Sequence, residues 1–245
     1  PQMFAPLVRR HMHLYGTQPE HFGQVALSCR AYANLNPRAV MYDQPLTMND
    51  YLSSRMISDP LRLYDCCLES DGAAALLVTT WERAGELRTR PVEILAAQQG
   101  SGYLWGTGLL GGHNMPSGTY ASANAVELAT DLYGRAGVLP QDIDVVQFYD
   151  AFTGMVLFAL EDFGFCGIGE SGDYVMEGNL RLDGASPCNT SGGILSEAYI
   201  HGLNLVLEGV RQVRGESSAQ ISGASLVLVS GGESVTPTSG LILGV

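Results

Sequence analysis

The stretch Asn189-Thr190-Ser191-Gly192-Gly193-Ile194-Leu195-Ser196-Glu197-Ala198-Tyr199-Ile200-His201 decides the reading of this chain. A polar loop runs into two adjacent glycines, and an apolar helical pattern over 195–213 starts directly after them. Two other stretches end a strand pattern in polar residues: Phe148-Tyr149-Asp150-Ala151-Phe152 and Val229-Ser230-Gly231-Gly232-Glu233. Around these three, the pattern from residue 91 onward alternates. Strands are predicted at 92–97, 145–148, 226–229 and 240–245, with a glycine-rich loop over 100–118, a helix over 120–134 and a turn over 140–144. Phe152, Met155, Val156, Ala159, Leu160 and Phe163 repeat at helical spacing and predict one more amphipathic helix. Strands alternating with helices predict an α/β fold with a mainly parallel sheet and right-handed crossovers. Ligands of such sheets bind beyond the carboxyl ends of the strands, where Tyr149, the 189–199 stretch and Ser230-Gly231-Gly232 all fall.

The first 90 residues read differently. Residues 1–60 are helical and polar. Thr17 and Glu20 have capping-box spacing before a helix that runs to about residue 35 and stops at Asn36-Pro37. Thr47 and Asp50 repeat the signal for a helix over 51–56, closed by Asp59-Pro60. The small residues after Asp71-Gly72 predict a strand over 73–78 packed tightly on both faces. A short charged helix follows around 81–88.

Composition narrows the function classes. With 245 residues, 46% of them hydrophobic, the chain is globular and can bury a core of one large or two small domains. Acidic residues outnumber basic ones 25 to 13, giving a net charge of −12. That excludes the clustered Lys/Arg surface a nucleic-acid or anionic-membrane partner needs. Five cysteines, an odd number without metal-type spacing, indicate a reducing cytoplasm rather than a disulfide scaffold. Cys66, Cys67, Cys166 and Cys188 read as small buried hydrophobes. No apolar run approaches the roughly 18 residues a membrane span needs. His11 and His13 read as surface residues beside Arg9-Arg10, a basic cluster able to meet phosphates.

Long ordered blocks carry a family resemblance. Asn36-Pro37-Arg38-Ala39, the stretch Tyr51-Leu52-Ser53-Ser54-Arg55-Met56-Ile57-Ser58-Asp59-Pro60, Leu63-Tyr64-Asp65-Cys66-Cys67 and Asp71-Gly72-Ala73-Ala74-Ala75 resemble the sterol-carrier-protein branch of the thiolases. Within it, the 148–152 and 189–202 stretches look most like the thiolase-like lipid-transfer proteins. Some of those are aldolases that cleave β-hydroxyacyl-CoA side chains in steroid degradation. Set on the thiolase signature N-x-x-G-G-x-x-x-x-G-H-P, Asn189 puts Tyr199 at the histidine and Ala198 at the glycine before it. N-E-A-F reads Tyr149-Asp150-Ala151-Phe152, and C-x-G-G-G reads Val229-Ser230-Gly231-Gly232-Glu233. The glycine frame is kept while the Claisen groups are replaced.

The resemblance implies the layered α-β-α-β-α thiolase fold. Its helical loop region would cover 1–60, the last strand and helix of the N-terminal half 61–90, and the C-terminal half 91–245. Pro1-Gln2-Met3-Phe4 reads as mid-chain, so roughly the first third of a thiolase subunit, with its nucleophile position, is expected upstream.

Tyrosine is a poor acyl carrier but a competent acid or base if a charge or hydrogen bonds lower its pKa. Retro-aldol cleavage needs only proton chemistry: a base takes the β-hydroxyl proton, the carbon–carbon bond breaks, and the thioester enolate is protonated. The chain contains no lysine, which excludes a Schiff-base aldolase within this segment. The expectation is therefore a metal-independent acyl-CoA aldolase, with a steroid side-chain thioester as the implied substrate. Tyr149 and Tyr199 form its acid/base pair, in either order. Asn189, Gly192, Gly193, His201, Gly231 and Gly232 are expected at the substrate. No cofactor is expected beyond the coenzyme A of the substrate. The resemblance also implies a homodimer of the full chain and a small OB-fold partner with a zinc ribbon. The alternatives are a degradative acyl-CoA thiolase and a catalytically silent lipid-transfer or scaffold subunit.

Overall fold

The structure, a computed structural model, describes residues 1–102, 120–234 and 237–245. Most of the glycine-rich stretch at 100–118 lies outside the described residues. Among them one four-stranded sheet is formed by β3 (Glu93–Gly100), β4 (Val145–Gln147), β5 (Val227–Gly231) and β6 (Thr238–Gly244), in the order β3-β6-β5-β4. β4 and β5 are parallel, Val145 opposite Val227, whereas β6 runs antiparallel to both β5 and β3. The sheet is mixed rather than mainly parallel. The reason is local: only six residues, 232–237, separate β5 from β6, too few for a crossover helix. Beyond β4, Cys188 adds a single parallel bridge to Val146.

Side chains alternate across this sheet with the strand period of two. Val145, Val227, Val229 and Leu243 pack with Leu205 and Val213 of α9 (Leu203–Arg214) on one face. Val146, Leu228 and Ile242 join the larger core on the other, with Leu128 and Leu132 of α5 (Val126–Ala136). Gly209 allows α9 to approach closely, since a Cβ there would come within 3.1 Å of Val229 Cγ2 and 3.0 Å of Leu243 Cδ1.

The larger core is organised around α6 (Thr153–Asp162), every residue of which is buried. The apolar stripe predicts one buried face; the helix is instead surrounded, as its high overall apolar content requires. Around it pack α1 (Ala5–Tyr15), α2 (Pro19–Ala33) and α7 (Ser171–Met176). Phe158 lies 5.7 Å from the ring of Phe4 and 5.1 Å from that of His11. The helical residues 1–60 thus share one core with the sheet region.

His11 is fully buried, not on the surface. Its Nδ1 lies 2.7 Å from Thr17 Oγ1 and its Nε2 3.0 Å from Glu161 Oε1, which also accepts the Ser171 hydroxyl. With its hydroxyl turned to His11, Thr17 does not cap α2. Gln18 takes that position, its backbone N–H reaching His21 Nδ1 at 3.3 Å. The second capping box does form: Asp50 N–H donates to Thr47 Oγ1 and Thr47 N–H to Asp50 Oδ2, starting α3 at Met48–Ser53. Buried Asp65 then accepts from Tyr51 at 2.7 Å and Thr153 at 2.6 Å, tying α3 to α6.

The strand expected over 73–78 is absent. That stretch has no pairing among the described residues, and Leu77 and Val78 are 81% and 74% exposed. Among the described residues no neighbouring strand offers its hydrogen bonds a partner, and a small apolar run has no other reason to form one. The charged helix after it shortens to α4 (Trp81–Ala84).

Phe158→Ala should lower the unfolding free energy by about 3–5 kcal/mol, the range for emptying a well-packed aromatic site. Denaturant midpoints with an unchanged transition slope would show it.

Candidate active site

The helix expected over 195–213 is interrupted, and the interruption makes the site. Gly192 (φ 112°) and Gly193 (φ 62°) turn the chain into a single helical turn, α8 (Gly193–Ser196). The backbone then leaves the helix from Glu197 until α9 begins at Leu203. Glu197 anchors this break, accepting from Ser191 Oγ at 2.6 Å and Asn204 Nδ2 at 3.1 Å. Tyr199 stands inside it.

Tyr149 comes to the same place from the carboxyl end of β4. The hydroxyls of Tyr149 and Tyr199 lie 2.9 Å apart, within hydrogen-bond distance although 50 residues separate them. His201, in left-handed backbone (φ 47°), places Nδ1 3.4 Å from the Tyr199 hydroxyl. A row of three groups thus runs from half-buried Tyr149 to exposed His201.

Both tyrosines are held through backbone. An extended strap descending from β2 (Leu61–Arg62) passes between their segments. Cys67 N–H donates to Ala151 O at 3.0 Å, Leu68 N–H to Ile194 O at 3.2 Å, and Tyr199 N–H to Ser70 Oγ at 2.8 Å. Asn189 clamps the strand end: its Oδ1 accepts Phe148 N–H at 2.8 Å and its Nδ2 donates to Phe148 O at 2.9 Å. Buried Asp150 accepts Ile194 N–H at 2.9 Å and Leu195 N–H at 3.2 Å. Fully buried Glu233, after β5, accepts Tyr149 N–H at 3.2 Å and the Ser230 hydroxyl.

The expected site residues thus divide. Tyr149, Tyr199 and His201 are brought together. Asn189, Gly192 and Gly193 are buried beneath them as scaffold, Asn189 with both ends of its amide on Phe148. Gly231 and Gly232 are half-buried at the end of β5, where a Cβ on Gly232 would meet Pro237 O at 2.9 Å. Substitution at Gly232 therefore strains the β5–β6 turn before it blocks any ligand. Ser70, Cys67, Asp150 and Glu233 were missed as supporting residues. Only Asp150 and Glu233 had a signal, as carboxylates inside two of the motifs.

Electrostatics bears on Tyr149. Burial pushes the Tyr149 phenol well up, the bond to Tyr199 adds to it, and the nearby Cys67 and Glu233 work in the same direction. The site surrounds Tyr149 with groups that disfavour its phenolate rather than lowering its pKa, and either hydroxyl can donate in the 2.9 Å bond. Burial also raises Asp150 to about 6 and Glu233 to about 7, against the hydrogen bonds each accepts. Cys188 lies next to Asn189 and is buried, with its thiol pushed well up by burial.

Beside the strap lies a cavity of 530 Å³, lined by Leu46, Ile57, Leu63, Tyr64 and Leu195, with Arg30 and Arg55 among them. Cys67 belongs to its wall as well as to the surroundings of Tyr149. Among the described residues, no three His, Cys, Asp or Glu side chains gather as a metal-ligand cluster. None of the described helices is long and apolar enough to cross a membrane.

Residues 112–244, more than half of the chain, match the family described as thiolase C-terminal domain-like. The chain belongs to that family. It is 45% identical to the steroid side-chain-cleaving aldolase of Thermomonospora curvata over 99% of its own length and 61% of that protein's. Identity to the 17-hydroxy-3-oxo-4-pregnene-20-carboxyl-CoA lyase of Mycobacterium tuberculosis is 43%, covering 98% of this chain and 61% of the lyase. The solved Ltp2-ChsH2(DUF35) aldolase superposes with a TM-score of 0.93 at 45% identity, over 98% of this chain and 62% of that one. A monomeric SCP2-thiolase-like protein of Mycobacterium smegmatis, with a TM-score of 0.71 at 16% identity, shares the fold alone. The α/β thiolase fold expected from sequence is therefore established, with a mixed sheet. This thiolase-family chain spans 61% of the length of those two curated relatives.

Gly193 has both a left-handed backbone and a clash: a Cβ there would lie within 3 Å of both the Asp150 carboxyl and Asn189 Nδ2. Gly16 has a similar φ of 73° with nothing within 4 Å. Gly16→Ala should then cost about 1–2 kcal/mol, the backbone strain alone, and Gly193→Ala more than about 3 kcal/mol once overpacking is added. Equal unfolding midpoints for the two variants would disprove the clamp geometry.

Proposed function

We propose that the protein containing this chain is a thiolase-fold aldolase that cleaves a β-hydroxyacyl-CoA by retro-aldol chemistry. The observation that carries this is the 2.9 Å contact between the Tyr149 and Tyr199 hydroxyls, at the positions where thiolase signatures have asparagine and histidine. The names of the two curated relatives support a carbon–carbon lyase and a steroid side-chain thioester.

Tyr199 reacts as the phenolate, hydrogen-bonded by the Tyr149 hydroxyl and with His201 beside it, and takes the proton from the substrate's β-hydroxyl. The bond between the α- and β-carbons then breaks, leaving a ketone or aldehyde and the enolate of the shorter acyl-CoA. Tyr149 protonates that enolate at its α-carbon, and the proton gained by Tyr199 returns across the 2.9 Å bond. The proton balance closes without an external donor. No cofactor takes part, and coenzyme A enters only as part of the substrate. His201 and Gly231 are kept as substrate contacts at the rim, with Asn189, Gly192, Gly193 and Gly232 holding the frame. The apolar cavity with its two arginines has the chemistry to take an apolar group carrying an anion.

The assembly belongs to the same proposal. A homodimer of the full polypeptide, with a second small OB-fold and zinc-ribbon subunit, follows from the family resemblance, and the Ltp2-ChsH2(DUF35) pairing supports an unlike partner. Five free cysteines suit a reducing cytoplasm.

Tyr149→Phe and Tyr199→Phe should each reduce turnover of 17-hydroxy-3-oxo-4-pregnene-20-carboxyl-CoA by at least about 10²-fold with folding intact. Near-normal rates in both variants would end the acid–base proposal. Acetoacetyl-CoA consumption with free coenzyme A would instead favour a degradative thiolase. Light scattering on co-expressed subunits should give a two-fold assembly with both chains; an active lone monomer would reject it.

A further inference from the structure

Among the described residues, Glu233 is the one fully buried carboxyl bonded to a proposed catalytic tyrosine that the mechanism above does not use. Its Oε1 accepts the Tyr149 backbone N–H and the Ser230 hydroxyl. Its Oε2 is buried and has no hydrogen-bond partner among the described residues. To bring it there, the chain adopts left-handed backbone on both sides, at Gly232 (φ 78°) and Ser234 (φ 57°). An unpaired buried oxygen and a strained non-glycine residue both cost stability, and such costs persist where the surrounding structure enforces them. The titratable groups facing Glu233 are Tyr149 and Asp150 from the end of β4 and Cys188 from the adjoining bridge. β5 contributes the neutral Ser230.

We infer that Glu233 is a positioning residue for the tyrosine pair, fixing Tyr149 through its backbone N–H and controlling its acidity through the charge of the buried carboxyl. The inference rests on the acid–base proposal for Tyr149 and Tyr199. A charged carboxylate at this place opposes a phenolate on Tyr149, so Tyr149 gives up its proton less readily once Glu233 ionises. A neutral Glu233 keeps the N–H bond without that opposition. Because burial holds the carboxyl to about 7, the change falls near neutral pH.

The sign for stability follows from the same shift. Folded, Glu233 holds its proton to higher pH than it does unfolded, so the folded state binds more protons across that window. Its contribution is greatest below the ordinary carboxylate range and is lost as pH rises to about 7.

The test uses the complete polypeptide with its partner subunit and 17-hydroxy-3-oxo-4-pregnene-20-carboxyl-CoA as substrate, comparing wild type, Glu233→Gln and Glu233→Ala. In wild type, kcat should fall several-fold as pH rises through about 7. Glu233→Gln, whose amide oxygen still accepts the Tyr149 N–H, should lose that limb and keep its KM. Glu233→Ala, with neither the carboxyl nor the N–H acceptor, should also lose the limb and should lower kcat by about tenfold below about pH 7, within the roughly 10²-fold that misplacing a group can cost. Without substrate, the unfolding midpoint of wild type should drop more than that of Glu233→Gln between about pH 5 and 7. A glutamine variant that keeps the wild-type pH profile overturns the inference, and so does an alanine variant with normal kcat. Tyr199→Phe in the same preparations separates the two levels. If it stays active, the acid–base proposal itself fails; if the midpoints of wild type and Glu233→Gln track each other with pH, only the titration of Glu233 fails.

Discussion

The double clamp at the end of β4 is the constraint on which the site depends. Asn189 grips both backbone groups of Phe148, and Asp150 grips the first free N–H groups of α8. One clamp faces backward along the chain from Tyr149 and the other forward. Between them the direction of the phenol is fixed relative to the 189–199 segment before either hydroxyl meets the other. Only glycine fits at Gly193 because the Asp150 carboxylate already occupies the space a side chain would need. Gly193 is therefore a consequence of the clamp, while Gly192 is enclosed by Ala33 and the Glu197 N–H, so the glycine frame can persist when the reactive side chains change.

Burial sets the chemistry in the same place. Tyr149, Asp150 and Glu233 all lie in a region that penalises negative charge, and all three are shifted toward their protonated forms. Tyr199, by contrast, stands next to exposed His201, whose Nδ1 lies 3.4 Å from its hydroxyl. The two tyrosines thus differ in surroundings although they are the same residue type, and primary sequence carries no record of those surroundings.

The tyrosines were legible because Ala151-Phe152 and the Asn189-x-x-Gly192-Gly193 frame keep the motifs recognisable around them, and the sheet ends were legible from strand patterns. Several features were not. The break at Glu197 is invisible to periodicity, because apolar residues resume in helical phase after it; it exists because Ser191, Asn36 and Asn204 bind the Glu197 carboxyl from outside the helix. His11 next to two arginines looked like a surface residue, and its burial comes from Glu161, 150 positions away. The antiparallel return of β6 was missed because a strand's direction leaves no mark on its composition. Ser70 has no local signal of any kind; its role comes from the strap that carries it past Tyr199.

That strap also fixes when the site can exist during folding. Ser70, Tyr149, Tyr199 and Glu233 come from positions spread over 163 residues, and each contact among them closes a long loop. Loop closures of that size are made late, after local helices and hairpins have formed. A partly folded molecule can hold all of α6 and most of the sheet and still have its two hydroxyls apart. The contact between the two hydroxyls should then be the last feature gained on refolding and the first lost on heating, ahead of any change in helix content.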